Sequence, residues 1–174
     1  IYNMAALKDY EHVQKLSIYL SNHFRYIMKS SQKLNTLNDE IEHTKNYLEI
    51  HKVRFGNNLN YEIQVHPSQE TYYIPSLTIQ TFVENCIIHG FVIRNKPFYI
   101  TITVKPLEKE QKGYYELIIQ DTGVGFPEDF LDCFRKNSFD GKYDGHIGIQ
   151  NTIKRLSLRY ENKEVIELKN AKEG

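Results

Sequence analysis

From about Met4 to Met28 the chain lacks Gly and Pro, and Val13, Leu16, Leu20, His23 and Ile27 recur at alternating three- and four-residue spacing. That is the seam of a coiled-coil-like helix. A break is expected at Ser30-Ser31, followed by Thr36-Leu-Asn-Asp39, a capping-box-like helix start. A second seam then runs through Leu37, Ile41, Thr44, Leu48, His51 and Phe55 and stops at Gly56-Asn57-Asn58, residues that tolerate the left-handed conformation of a helix end. The two segments form a helical hairpin, or one of them belongs to a neighbouring module.

Past the cap the period drops to two. Leu59, Tyr61, Ile63 and Val65 alternate with polar residues and read as a half-buried strand. Pro75 is read as opening a helix from about Ser76 to Val92, with Ile79, Phe82, Val83, Cys86, Ile87 and Gly90 on its buried face. Ile100, Ile102 and Val104, interleaved with Thr101 and Thr103, predict a second strand, and Tyr115 to Gln120 a third. Leu107 to Tyr114 suits a hairpin connection. Thr122 to Ile147 reads as a long Gly-rich, charged loop with at most one short helix, at Phe130-Leu131 to Phe134. A helix from about Ile149 to Tyr160 and a last short strand, Val165 to Leu168, complete the pattern. The order predicts an α+β two-layer sandwich: a mixed, mainly antiparallel sheet with helices on one face, preceded by an N-terminal helical segment. A βαβ alternation appears at most once, which disfavours a doubly wound sheet.

Composition narrows the functional classes. The chain has 174 residues, enough for one domain with an appended helical segment. Its 22 Lys and Arg balance 22 Asp and Glu, so no overall basic charge draws it to nucleic acid or an anionic membrane. Cys86 and Cys133 form neither a disulfide framework nor a zinc signature. The most apolar stretch, Ile74 to Ile93, is broken by Gln80, Glu84, Asn85 and His89 and cannot span a membrane. The absence of GxxxxGK[ST] removes the P-loop route to ATP. The chain opens on Ile1 and stops at Lys172-Glu173-Gly174 just after a strand-like run, and it is expected to be a fragment of a longer protein.

Three short segments bear chemistry. On the Ser76–Val92 helix, Thr81, Asn85 and His89 share one stripe, with Gln80 and Glu84 beside it. Such a stripe is either a solvated face or a polar wall against a ligand, and an amide with a carboxylate suits a hydrated Mg²⁺. Asp121-Thr-Gly123-Val-Gly125-Phe126 directly follows a strand, where glycines two apart allow a sharp turn and close approach of backbone to a ligand. Asp-Thr-Gly alone is commonly only a turn. Gly145-His-Ile-Gly148-Ile-Gln-Asn151 precedes a helix, whose free N–H groups favour phosphate.

The order of these segments resembles the ATP-binding domain of the GHKL superfamily. "RF" at Arg54-Phe55, "IPSLTIQTFVENCIIHG" at 74–90, the DxGxG at 121–125 and "HIGIQNTIKRLSLRY" at 146–160 resemble LytS/YesM-type sensor histidine kinases, with Tyr47-Leu48 and Ile50 in the same register. The resemblance spans most of residues 16 to 168. It implies that Asn85 holds Mg²⁺ bridging the ATP phosphates, with Glu84 assisting the metal or a water. It implies that His89 lies against the base or sugar and that Asp121 accepts a hydrogen bond from the adenine amino group. It further implies that Gly123 and Gly125 admit the base, that residues 126–147 form an ATP lid, and that Gly148 sits near the phosphates.

Three departures stand out. Ile88 occupies a place where the family often has a basic residue, so one phosphate contact is either absent or supplied elsewhere, with Arg94 or Lys96 as candidates. His146 replaces the first glycine of the family's GIGL. Leu16-Ser17 to Arg25-Tyr26 matches the second dimerisation helix, so His23 is read as a seam residue and the phosphoacceptor histidine as lying upstream. His12, His43 and His51 lack ligand spacing and are read as surface or seam residues.

The expectation is therefore residues 1–33 as part of a dimerisation helix and 34–174 as an ATP-binding catalytic domain, truncated near its C-terminal end. Such a protein-histidine kinase would use ATP and Mg²⁺, pass phosphate to a response regulator receiver domain, and dimerise through its helices in the full-length protein. It would be the cytoplasmic domain of a membrane-anchored bacterial sensor, with no nucleic-acid partner. The alternatives are a degenerate or anti-sigma-type GHKL interaction module, and a helical dimerisation scaffold that has lost nucleotide binding.

Overall fold

A computed structural model describes residues 6, 8–29, 34–66, 72–91, 97–107, 114–136, 138, 146–160 and 165–171. In chain order the elements are α1 (Tyr10–Lys29), β1 (Leu34–Thr36), α2 (Leu37–Phe55), β2 (Leu59–Val65), β3 (Tyr73–Pro75), α3 (Thr78–Asn85), β4 (Phe98–Pro106), β5 (Tyr115–Asp121), α4 (Glu128–Lys136) and α5 (Ile147–Tyr160). A 3₁₀ turn, Gly56–Asn58, follows α2, and a π-helical turn, Cys86–Gly90, continues α3.

The helix start predicted at Thr36 is present: its hydroxyl accepts from the Asp39 N–H at 3.1 Å, replacing an intrahelical partner the first turn lacks. Asp39 and Glu40 in the first turn and Lys52 and Arg54 in the last complement the helix dipole. Leu37, Ile41, Thr44 and Leu48 are buried, as the seam requires. At the far end Gly56 has φ +56°, a conformation that glycine adopts without steric cost.

The alternative left open for the two helical segments resolves into a hairpin. Tyr19 donates to Glu49 and Asn22 to Asn46, both at 3.4 Å, while Tyr26 donates to Glu40 over a short distance. Partner numbers that fall on α2 as they rise on α1 mean antiparallel helices. The α1 seam is rotated slightly from the expected one, for Ile27 is exposed and Tyr26 points inward. His23 is a seam residue, half-buried and stacked on His43 with ring centroids 4.8 Å apart. The Tyr26 ring covers His43 at 3.8 Å. His12 is exposed beside Asp9, and His51 lies between Tyr47 and Phe55.

His43 is 2% exposed, and neither ring nitrogen meets a partner in good hydrogen-bond geometry, although Gln80 lies close enough to interact. Burial, with His23 adding to it, drives its pKa down to about 4. Between an ordinary 6.5 and that value the unfolded chain binds a proton that the folded chain refuses, so stability is lost as pH falls through this window. Urea unfolding across the range is expected to give a steeper acid loss for the native sequence than for His43→Phe; equal slopes would contradict it.

The three-stranded sheet has the order β2-β4-β5. β2 and β4 are parallel, Leu59 pairing with Phe98 and Val65 with Val104; β4 and β5 are antiparallel, Ile100 pairing with Asp121 and Pro106 with Tyr115. The sheet is mixed as expected but not mainly antiparallel, with one parallel and one antiparallel pairing, and β2–α3–β4 is the single βαβ unit among the described residues. Phe98, Ile100, Ile102 and Val104 alternate into a core shared with Leu37, Ile41 and Leu48 of α2 and Ile79, Val83, Cys86 and Ile87 of α3. Both helices thus cover the same face. A second cluster, Phe130, Ile149 and Ile153, joins α4 to α5, with Phe82, Phe126, Phe134, Ile166 and Leu168 against it.

Three expectations are corrected. Pro75 does not open a helix: it closes β3, which pairs antiparallel with β1 from Leu34↔Pro75 to Thr36↔Tyr73. A three-residue pair is too short to show alternation. The helix starts later, at Thr78, after Leu77 in the left-handed region at φ 61°. Val165 to Leu168 belongs to no sheet. Its alternation arises because Ile166 and Leu168 pack on the second cluster, and burial of alternate side chains does not need a paired backbone. The break at Ser30-Ser31 and the tip of the β4–β5 connection lie outside the described residues, although Leu107 N–H still donates to the Tyr114 carbonyl at 3.3 Å.

Candidate functional site

The site is assembled on α3 and the turn after it. Leu77 gives α3 no side-chain cap, and the start of the helix is held from another element: Glu40 on α2 accepts from the Leu77 N–H at 2.6 Å and the Ile79 N–H at 3.3 Å. After Asn85 the helix widens into its π-turn, closed by Phe91 N–H to the Cys86 carbonyl at 2.9 Å. Such turns redirect side chains and recur at functional sites.

The expected stripe keeps its composition. Asn85 Oδ1 lies 2.8 Å from His146 Nδ1 just ahead of α5, and His89 sets its ring against that of His146, centroids 4.3 Å apart. Thr81 touches Gly148, where an added Cβ would come 3.3 Å from the threonine methyl. Thr81, Asn85 and His89 therefore all meet the start of α5. Glu84 goes elsewhere. Gln80 donates to it, and its charge is felt by His23 and Tyr47, which places it on the side of α3 turned to the α1–α2 hairpin. The structure thus separates two neighbours that the sequence reading grouped.

Asp121 ends β5, and its Oδ1 accepts from the Gly123 N–H at 2.7 Å while the residue stays exposed to solvent. The Cys86 thiol, buried in the core, lies close enough to the same carboxylate to feel it; burial first, then the Asp121 charge, pushes that thiol up from its ordinary range. Gly123 lies directly on Gly90, for a Cβ there would fall 2.6 Å from the Gly90 Cα. This contact explains the glycine at 123 without any ligand. Gly125 has φ +74°, and a Cβ there would meet Asn170 at 2.6 Å.

Asn170 escaped sequence reasoning. Its Oδ1 accepts from the Phe126 N–H at 2.8 Å and its Nδ2 donates to the Phe126 carbonyl at 2.9 Å, so one side chain imitates a strand partner. A lone Asn near a chain end carries no pattern that would reveal it. Glu40 was equally hidden within a solvated-looking first turn.

His146 is half-buried, its ring 4.6 Å from Phe130 and 6.1 Å from Phe126. Burial, then the neighbouring His89, lowers its pKa. Asn85, His146, His89, Gly90, Gly123, Asp121 and Cys86 form one continuous strip. Arg94, Lys96 and Gly145, proposed from the sequence for phosphate contacts, lie outside the described residues. A groove of about 400 Å³ between α2 and β2, lined by residues such as Asn38, Glu42, Lys45 and Tyr61, contains none of the predicted site residues. Among the described residues no three or more His, Cys, Asp or Glu gather to hold a metal, and no helix is long and apolar enough to cross a membrane.

The family model described as "Histidine kinase" matches residues 1–59. Sensor histidine kinase BtsS of Escherichia coli K12 is 40% identical over 160 residues, 87% of this chain and 28% of its own length. Sensor protein LytS of Staphylococcus epidermidis is 26% identical over 167 residues, 95% of this chain and 28% of its own. The histidine kinase domain of the blue-light activated histidine kinase from Erythrobacter litoralis EL346 aligns at a TM-score of 0.46 and 13% identity, covering 86% of this chain and 72% of that one. The chain spans little more than a quarter of the length of its curated relatives, at 28%.

Proposed function

We propose, for a chain homologous to the LytS and BtsS sensor histidine kinases, that residues 34–174 are the GHKL-type ATP-binding catalytic domain of a two-component sensor kinase and residues 1–33 part of its second dimerisation helix. One observation carries the reading: segments far apart in sequence that would each contact the nucleotide meet in a single strip, with Asn85 on His146, Thr81 on Gly148, and Gly90 on Gly123.

In this reading the exposed Asp121 carboxylate, held by Gly123 N–H, accepts a hydrogen bond from the adenine amino group. Gly123 and Gly125 keep the turn below the base free of side chains, and His89 borders the base or sugar. Gly148, on the first turn of α5, lies where backbone N–H groups favour phosphate. The donor set fits Mg²⁺, which keeps several waters and takes most other ligands from phosphate, so that one amide oxygen, that of Asn85, serves without a protein cage. When bound, the ion would neutralise charge on the phosphates during transfer. In this reading Glu84, whose charge is felt by His23 and Tyr47 of the α1–α2 hairpin, acts on the acceptor side, and the accepting histidine lies upstream of these residues. Phosphate then passes to a response regulator receiver domain. The intact protein is proposed to dimerise through its helices and to be anchored in a bacterial membrane, with this domain in the cytoplasm.

One observation favours the second reading, a degenerate GHKL interaction module: the Asn85 oxygen is already engaged by His146. Melting with and without Mg²⁺-ATP separates the two. Ligand at 100 times its Kd adds roughly 2.7 kcal/mol, an expected rise of about 5 to 11 °C at this size. Asp121→Asn should abolish the rise. No shift at millimolar ATP would favour the degenerate module.

A further inference from the structure

We infer that His146 is a positioning residue that gates the metal-holding oxygen of Asn85, so that Mg²⁺-ATP binds only as the imidazole leaves it. The inference rests on the ATP-binding reading above. An amide oxygen only accepts, so the 2.8 Å contact makes His146 Nδ1 the donor. A hydrogen pointing at that oxygen and a divalent cation compete for the same electron density. The ring is also held sideways, by His89 at 4.3 Å and Phe130 at 4.6 Å, so it is lodged rather than loosely hanging. His146 directly precedes α5, whose first turn carries Gly148, and movement of this one side chain therefore couples the metal ligand to the phosphate end of the site. A glycine at this position would leave Asn85 uncapped.

The test is the Kd of the chain for ATP, by calorimetry, with Mg²⁺ and with EDTA, for the native sequence, His146→Gly and His146→Asn. The net value of one hydrogen bond predicts that His146→Gly binds Mg²⁺-ATP about three- to tenfold more tightly than the native sequence. In EDTA the two should bind alike. His146→Asn, whose amide nitrogen can replace Nδ1, should stay near the native value with Mg²⁺. Equal Mg²⁺-ATP affinities for native and glycine forms, or a gain that persists in EDTA, would overturn the gate while leaving the ATP-binding reading intact. Failure of all three proteins to bind nucleotide would overturn the ATP-binding reading itself, and the gate with it. Histidine-ring ¹⁵N spectra give an independent readout: Nδ1 of His146 should carry the proton in the nucleotide-free protein and change environment on adding Mg²⁺-ATP. A bare Nδ1 in the free protein would overturn the contact on which the gate depends.

Discussion

Glu40→Ala is expected to cost about 3 kcal/mol of stability, or about 6 to 12 °C in melting temperature at this size. Glu40 is completely buried. One oxygen accepts from the Leu77 N–H and the Tyr26 hydroxyl, the other from the Ile79 N–H. Alanine strands all three donors in the interior, each a buried group without its partner. It also uncaps α3, because Leu77 offers no side chain to its own helix. Glu40→Gln should cost far less, about 1 kcal/mol, since its remaining oxygen can keep the two shorter contacts. Burial raises the Glu40 carboxyl above its ordinary 4.5, against the opposing pull of the Tyr26, Leu77, Ile79 and Asn35 hydrogen bonds. The folded state then holds the proton to a higher pH than the unfolded chain does, so this group's contribution falls as pH rises above 4.5. Glu40→Gln lacks that component. Urea unfolding of the three proteins at several pH values measures all of this; a loss below 1 kcal/mol for alanine would show that the cap is dispensable.

Phe130→Ala should cost about 3 to 5 kcal/mol, the range for truncating a fully buried aromatic ring. Phe130 is 0% exposed and central to the cluster that binds α4 to α5. Its loss opens a cavity bordered by Ile149, Ile153 and the stacked Phe126 ring, 5.4 Å away. The main core, built on β4 with α2 and α3, shares none of the three buried residues of this cluster. Amide exchange should therefore quicken in residues 147–160 well before it does in 98–106. Uniform acceleration would mean that the two clusters unfold as one unit. The same ring supports His146, so the variant should also loosen the proposed gate.

Much of this architecture is legible in the sequence because the period of burial follows directly from backbone geometry. The seam from Leu37 to Leu48 is buried, and Thr36 caps it. The alternation at Phe98 to Val104 faces the core, and the helix predicted to start near Ile149 starts at Ile147. The segments proposed to bind nucleotide were also visible, since each carries its glycine, amide or carboxylate at fixed local spacing. The false strand at Val165 to Leu168 marks the limit of that logic: alternate burial fixed which side chains turn inward and said nothing about a backbone partner.

What only the tertiary structure decided is pairing between segments that carry no pattern of their own. Neither β1 nor β3 is long enough to announce itself, and each exists because the other is there. Glu40 caps a helix 37 residues away, and Asn170 reaches Phe126 across 44. Glu84 and Asn85 are adjacent in the chain yet turn to different neighbours, because successive helical positions point about 100° apart and only packing decides what each direction meets. The contact between His146 and Asn85 is of the same kind. The sequence marked the residues proposed to bear the chemistry; the packing of α3 against α5 on one side and the α1–α2 hairpin on the other determined which of them lie together, because a side chain's partner is set by where distant backbone comes to rest.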